Sequence, residues 1–242
     1  MEILINILIV ILLYVVPLIV FVKTVKWRKY SKSINIIIII VYLGLIFIVP
    51  SMQSNVLPFA IVLIIMYRMK GNFRGDNDYF TYGFSIREFK LSSGFRYALV
   101  GYGMVFLVSL ITQVLLMALG IEFKTQEVID SLASYDIVKF LIATPSVIIF
   151  APIVEEYVFR YILFEKIFRK VLKGNIGFIL SALLVSLIFA TVHNNLAALG
   201  MLFVISFYNC YLIEKKGYWY AVFNHFFVNM LTTTFLFVSK LI

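Results

Sequence analysis

Long runs of apolar residues dominate the pattern along the chain. Eight such runs alternate with short segments that carry most of the charge. A helix needs roughly 20 mostly apolar residues to cross the hydrocarbon layer. The pattern therefore predicts an all-α, polytopic integral membrane helix bundle with about eight transmembrane helices, or seven if the short third run does not cross. The runs are Ile3–Val22, Ile34–Pro50, Val56–Met69, Tyr97–Gly120, Ile137–Phe164, Ile176–His193, Leu196–Ile213 and Tyr218–Val238.

Composition excludes an ordinary soluble domain. The chain has 242 residues, of which 63% are hydrophobic and 14% charged, whereas soluble domains are typically about 45–50% apolar and about 25% charged. One core of this size cannot bury so much apolar surface. The single cysteine, Cys210, excludes an internal disulfide and a thiolate metal cluster. The first run lacks signal-peptide flanks, so we expect it to be retained as a helix.

The basic residues predict the orientation. Seventeen of the 21 Lys and Arg lie in four segments that eight spans place on one side. The positive-inside rule assigns that side to the cytoplasm and both termini to the outside. The net charge of +9 then requires no nucleic acid as a partner. The four segments are Lys23–Lys32, Arg68–Arg96, Lys166–Lys173 and Lys215–Lys216.

Ionisable residues inside the apolar runs indicate a functional site, because a charge in hydrocarbon is costly. The fifth run contains Glu155, Glu156 and Arg160. Residues four apart share a helix face, so Glu156 is expected to pair with Arg160 and to leave Glu155 for other work. Pro152 removes a backbone hydrogen bond just before the pair.

The two histidines of the chain complete this set. His193 ends the sixth run, with Phe189 one turn before it, and His225 lies in the eighth run with Asn229 on the same face. Each group alone has a structural interpretation, such as an ion pair or a hydrogen bond between helices.

Together these groups suffice for peptide hydrolysis. Imidazoles and a carboxylate can bind zinc, a glutamate can act as general base, and His or Asn can stabilise an oxyanion. The chain has no GxSxG and no HExxH sequence, so serine and zincin chemistries lack their signatures.

The ordered motifs Glu155-Glu156-x-x-x-Arg160, Phe189-x-x-x-His193 and His225-x-x-x-Asn229 resemble those of the CAAX protease and bacteriocin-processing family, also called Abi or type II CAAX prenyl endopeptidase-like proteins. The resemblance covers about Ile137–Val238. It implies an intramembrane endopeptidase of the metal-dependent class.

The resemblance also implies a role for each residue. Glu155 would activate the hydrolytic water, with Glu156 and Arg160 as its supporting pair. His193 would help to hold the water or metal. His225 and Asn229 would be metal ligands or an oxyanion hole. Activation by a metal and activation by the glutamate–histidine pair alone both stay open. The predicted metal is zinc, and its predicted ligands are Glu155, His193 and His225.

Straight helices would place the site residues at different depths in the membrane. Counted from the cytoplasmic ends, Glu155 and His225 lie about 14 and 12 Å deep, but His193 lies about 28 Å deep at 1.5 Å per residue. We therefore expect the sixth helix to tilt, to start later or to dip.

The chain is expected to have two parts. Residues 1–136 would hold helices 1–4 with a cytoplasmic loop at 70–96, which includes a short interfacial helix near Ser85–Phe89. Residues 137–242 would form the catalytic core with helices 5–8.

The resemblance implies a membrane-associated or small peptide or protein as substrate: a bacteriocin, a pheromone precursor or a lipidated tail. The Ile-, Lys- and Asn-rich composition favours a bacterial plasma membrane, with lipids as partners and with bacteriocin self-immunity or pheromone processing as roles. The alternative is a non-catalytic bacteriocin immunity or membrane-scaffold protein. A small transporter is disfavoured because no inverted repeat of polar positions is visible.

Overall fold

Helices form nearly all of the described structure. The computed structural model describes residues 2–24, 36–37, 39–44, 55–69, 84–121 and 127–241, and within these ranges it contains no strand. Parts of the second apolar run, residues 25–32 of the first basic segment and residues 70–83 of the predicted loop lie outside the described residues, as does the segment 122–126. The all-α fold class is confirmed.

The first half of the chain contributes three labelled helices. Helix α1 comprises Glu2–Ile9, a π-helical segment Val10–Val15, and Val16–Thr24. Residues 39–44 are helical. Helix α2 spans Val56–Met69 and α3 spans Leu91–Ala118. At about 1.5 Å per residue α2 is about 21 Å long, shorter than the roughly 30 Å of a hydrocarbon core.

The second half begins with a short helix and continues with four long ones. Helix α4 is Glu127–Ser134, and α5 runs without interruption over Ile137–Val171. Helices α6, α7 and α8 are Gly174–Val192, Leu199–Lys216 and Tyr218–Leu241.

Five helices in the described ranges are long and apolar enough to cross a membrane, namely α1, α3, α5, α6 and α8. Helix α7 ends in Glu214, Lys215 and Lys216, and these charges lower the hydropathy of a helix that covers the seventh apolar run. The helical membrane bundle is therefore confirmed, and the count of eight spans stays a prediction, as does the division at residue 137.

Helix α5 lies at the centre of the bundle and contacts α2, α6, α7 and α8. Its π-helical segments are Ser146–Phe150 and Glu156–Phe168. The first precedes Pro152, whose ring nitrogen cannot donate a hydrogen bond. The π-helical hydrogen bonds between residues five apart let the helix continue past Pro152. Glu155 and Glu156 therefore project from the middle of one continuous helix.

The end of the long connector packs onto the bundle. Residues Ile86–Glu88 form a 3₁₀ turn capped by Ser85, within the segment expected to hold a short helix. The Trp219 indole donates to the carbonyl of Phe84, and the Tyr220 hydroxyl accepts from the N–H of Lys90. These bonds fix the start of α3 against the start of α8.

A matching attachment lies at the opposite end of α8. Lys240 Nζ donates to the carbonyls of Ala133 and Tyr135 at 2.6 Å each. A small core that contains Leu132 and Phe140 packs beside it. Asp136 caps α5 by accepting from the N–H of Lys139, a bond that lowers the pKa of this carboxyl.

The predicted orientation is tested by cysteine labelling. Ser134 lies on the predicted outer side and Asn175 on the predicted cytoplasmic side, and both are exposed. We expect an impermeant maleimide to label Ser134→Cys in intact cells and to label Asn175→Cys only after permeabilisation. Because Cys210 is buried, the unmodified chain is the unlabelled control. The reverse pattern would overturn the orientation.

Candidate active site

A buried ion pair forms the base of the site. Arg160 Nε lies 3.0 Å from Glu156 Oε2, and both side chains are 0% exposed. This is the pair that the spacing predicts. The guanidinium also lies over the Phe189 ring, 4.5 Å from its centroid, so α6 contributes a cation–π contact to the charge of α5.

His225 lies between the two glutamates. Its Nδ1 is 2.8 Å from Glu156 Oε1, and its Nε2 is 3.8 Å from Glu155 Oε2. A carboxylate paired with Arg160 can only accept hydrogen bonds. The proton of the neutral imidazole therefore lies on Nδ1, and Nε2 presents a lone pair to Glu155.

His193 has the same tautomer for a similar reason. Its Nδ1 lies 2.7 Å from the carbonyl oxygen of Phe189, which can only accept, so Nδ1 carries the proton and Nε2 is bare. The Phe189 ring centroid lies 4.6 Å from that of His193 and 6.0 Å from that of His225. The Phe189 ring thus lies against both imidazoles as well as Arg160.

The helix end places His193 at this level. Helix α6 stops at Val192, and Asn194 adopts a left-handed conformation with φ 47°, which asparagine tolerates better than most residues. Helix α5 extends to Val171, beyond the apolar run. At the α-helical rise, which is an upper bound for the π-helical part of α5, Glu155 is about 24 Å from the end of α5, and His193 is about 28 Å from the start of α6. The expected mismatch in depth is therefore smaller than the apolar runs suggest.

The start of α8 lies deeper than the start of α6. The Tyr218 hydroxyl donates to the carbonyl of Ile153 at 2.8 Å, which brings the first turn of α8 next to Glu155. Gly217 makes the preceding turn possible because its φ of 108° is strained for other residues. His225 therefore reaches the site from two turns into its helix.

Glu155 has a carboxylate oxygen that no hydrogen bond from a described residue satisfies. Its side chain is 14% exposed, and its Oε2 is buried without a hydrogen-bond partner among the described residues. This oxygen faces the lone pair of His225 Nε2. Two acceptors at this separation repel unless a proton, a water or a cation lies between them.

Asn229 has a structural contact in this conformation. Its Nδ2 donates to the carbonyl of Val147 at 3.0 Å. In the five-residue register of the π segment, residue 152 would serve this carbonyl, and proline cannot donate. Asn229 thus satisfies the carbonyl that Pro152 leaves open. Its predicted role as ligand or oxyanion donor stays a prediction.

Two buried asparagines were missed by the sequence reasoning. Asn209 Nδ2 donates to Glu156 Oε1 at 3.0 Å, and Asn224 Nδ2 donates to Asn209 Oδ1 at 2.7 Å. Both side chains are 0% exposed. In the sequence, each is a single amide within an apolar run. A single amide forms no recognisable pattern with another polar residue, so it did not indicate a site.

The donor chemistry suits a divalent cation. Glu155 Oε2 and the two Nε2 atoms are all acceptors, and each histidine has its other nitrogen occupied, as metal-binding histidines do. Among the described residues, no group of three or more His, Cys, Asp or Glu side chains is placed to hold a metal ion in this conformation. The zinc site stays a prediction.

Residues 137–231 match the family model described as type II CAAX prenyl endopeptidase Rce1-like. The match confirms the resemblance to the CAAX protease family for this part of the chain. All six predicted site residues lie in the matched segment. The family indicates a membrane protease of the CAAX type that acts on a peptide or protein. No curated protein and no solved structure matches the chain.

The buried pair of Glu156 and Arg160 generates a stability prediction. Removing one partner of a buried pair typically costs about 3–5 kcal/mol, because the other charge is left buried. We expect Arg160→Met to lower the melting temperature in detergent strongly and the double variant Glu156→Gln/Arg160→Met to lower it less than Arg160→Met alone. Arg87→Met, at an exposed position, is the control. Equal melting of Arg160→Met and wild type would contradict a buried charged pair.

Proposed function

We propose that the protein is an intramembrane endopeptidase in which Glu155 activates a water for attack on a peptide carbonyl. The observation that carries this proposal is the unpartnered Glu155 Oε2, buried and directed at His225 Nε2 at 3.8 Å. A water in this position can donate one hydrogen to each acceptor, which leaves its oxygen lone pairs directed away from both.

The proposed reaction is general-base hydrolysis. Glu155 takes a proton from the water as the oxygen attacks the scissile carbonyl carbon, and the same carboxyl then donates that proton to the leaving amine. His225, held by Glu156, fixes the position of the water. The enclosing helices exclude other water, which strengthens electrostatic interactions at the reacting atoms.

We propose a divalent metal, zinc, as the cofactor of this site. Glu155, His193 and His225 would hold it through the three atoms that present lone pairs. A bound zinc ion would lower the pKa of a coordinated water to about 7. Arg160 stays outside this set because its guanidinium is turned to Glu156 and to the Phe189 ring.

The substrates that fit this proposal are peptides or proteins at the membrane, including bacteriocins, pheromone precursors and lipidated tails. The site lies between helices that are apolar on their outer faces, as the exposed Leu183 and Leu187 of α6 show. A substrate would therefore approach from lipid or as a flexible chain. Bacteriocin self-immunity or pheromone processing in a bacterial plasma membrane is the proposed role.

Loss of the base should abolish cleavage. We expect Glu155→Gln and His193→Ala to lower peptide cleavage at least about a hundredfold, measured with purified protein and a quenched fluorescent peptide library in detergent. Glu88→Gln, at an exposed glutamate of the 3₁₀ turn, is the matched control and should keep full activity. Full activity in both site variants would contradict the proposed proteolytic mechanism.

Cells expressing the same variants distinguish the non-catalytic alternative. An immunity or scaffold protein would still protect cells from a bacteriocin with Glu155→Gln in place, provided that the variant reaches the membrane in wild-type amounts.

The metal is tested separately from activity. We expect wild-type protein to contain about one zinc per chain by elemental analysis after purification without chelator, and His193→Ala to lose it. Glu165→Gln is the control, because it removes another buried carboxyl outside the proposed ligand set. Full proteolysis by protein that holds no metal would show that the glutamate and histidines suffice alone.

A further inference from the structure

Two buried asparagines form a chain of hydrogen bonds that ends at Glu156, the carboxylate that holds His225. Asn224 on α8 donates to Asn209 on α7, and Asn209 donates to Glu156 on α5. All three side chains are 0% exposed. None of the three family motifs contains Asn209 or Asn224.

The direction of these bonds is fixed by the carboxylate. If the Asn209 amide were reversed, its oxygen would lie about 3.0 Å from Glu156 Oε1, and two acceptors would face each other inside a low-dielectric interior. Asn224 favours the observed orientation because its Nδ2 occupies Asn209 Oδ1. The Asn209 amide therefore presents its N–H to Glu156.

The same carboxylate oxygen receives His225. Glu156 Oε1 lies 2.8 Å from His225 Nδ1 and 3.0 Å from Asn209 Nδ2. Its second oxygen faces Arg160. A carboxylate held on both oxygens cannot rotate towards another donor, so its Oε1 stays opposite the imidazole.

We propose that Asn209 and Asn224 are positioning residues that hold Glu156 so that His225 keeps its proton on Nδ1 and presents a bare Nε2 to Glu155. The inference rests on the proposed function for its purpose, but the tautomer is a property of the folded chain itself. Without the asparagines, Glu156 can turn away and His225 can exchange tautomers.

Helix α3 packs against the Asn224 end of this chain of hydrogen bonds. A Cβ added at Gly101 would lie 2.1 Å from Asn224 Oδ1, so a methyl group there must displace the Asn224 amide. At Gly103, on the same helix, an added Cβ meets nothing within 4 Å. These two glycines provide a matched pair of variants that touch neither Glu156 nor a histidine.

The test reads the two imidazoles directly. The full chain is purified with ¹⁵N-labelled histidine and treated with chelator, so that no metal fixes the tautomer, and two-bond ¹H–¹⁵N correlations are recorded in detergent. We expect wild type to show both histidines with protonated Nδ1. Asn209→Leu and Gly101→Ala should convert His225 to a mixture of tautomers and leave His193 unchanged. Gly103→Ala should match wild type.

Kinetics provide a second measurement. We expect Asn209→Leu and Gly101→Ala to lower kcat about 10–100-fold, the usual effect of removing a partner behind a ligand or base, with KM unchanged. A single His225 tautomer in both variants would overturn the inference, even if proteolysis is confirmed. Absence of proteolysis in wild type would instead overturn the proposed function and leave the tautomer result valid. If Asn209→Leu disturbs both histidines by unfolding, Gly101→Ala decides.

Discussion

The charge of Glu156 is the constraint on which the rest of the bundle depends. A carboxylate removed from water must be paired and hydrogen-bonded. Its partners here come from three helices: Arg160 from α5, Asn209 from α7 and His225 from α8. Satisfying one charge therefore fixes the rotation and height of three helices at once. The Arg160 contact with Phe189 adds the fourth.

This constraint also sets the chemistry of the neighbouring groups. Because Glu156 and the Phe189 carbonyl only accept, each imidazole donates through Nδ1 and directs a lone pair to the site. Glu155 adds a third acceptor with no donor opposite it. The site is thus a place where positive charge or acidic hydrogen is required, which favours a hydrolytic water or a metal over a binding pocket for an anion.

The sequence predicted the bundle and the Glu156–Arg160 pair because both depend on local spacing. Helix ends were less predictable. The fifth run ends at Phe164, but α5 continues to Val171, since Lys and Arg are good helix formers and their stems can lie along apolar surface. Similarly, α3 begins at Leu91, before Arg96. The partners of Asn209 depend on how α7 packs against α5, and no local pattern encodes that contact. Pro152 predicted a free carbonyl, but not that Asn229 would cover it.

The space that Gly101 leaves on α3 limits which N-terminal halves can be combined with the matched segment. Gly101 lies outside residues 137–231, the segment that matches the protease family, yet it makes room for the Asn224 amide. A Cβ added at Gly200 of α7 would lie 3.3 Å from side-chain atoms of Val108 and Thr112, which also belong to α3. The matched segment therefore cannot be transferred to another protein on its own. A chimaera with a foreign N-terminal half must supply a helix that leaves space for Asn224 and for Gly200.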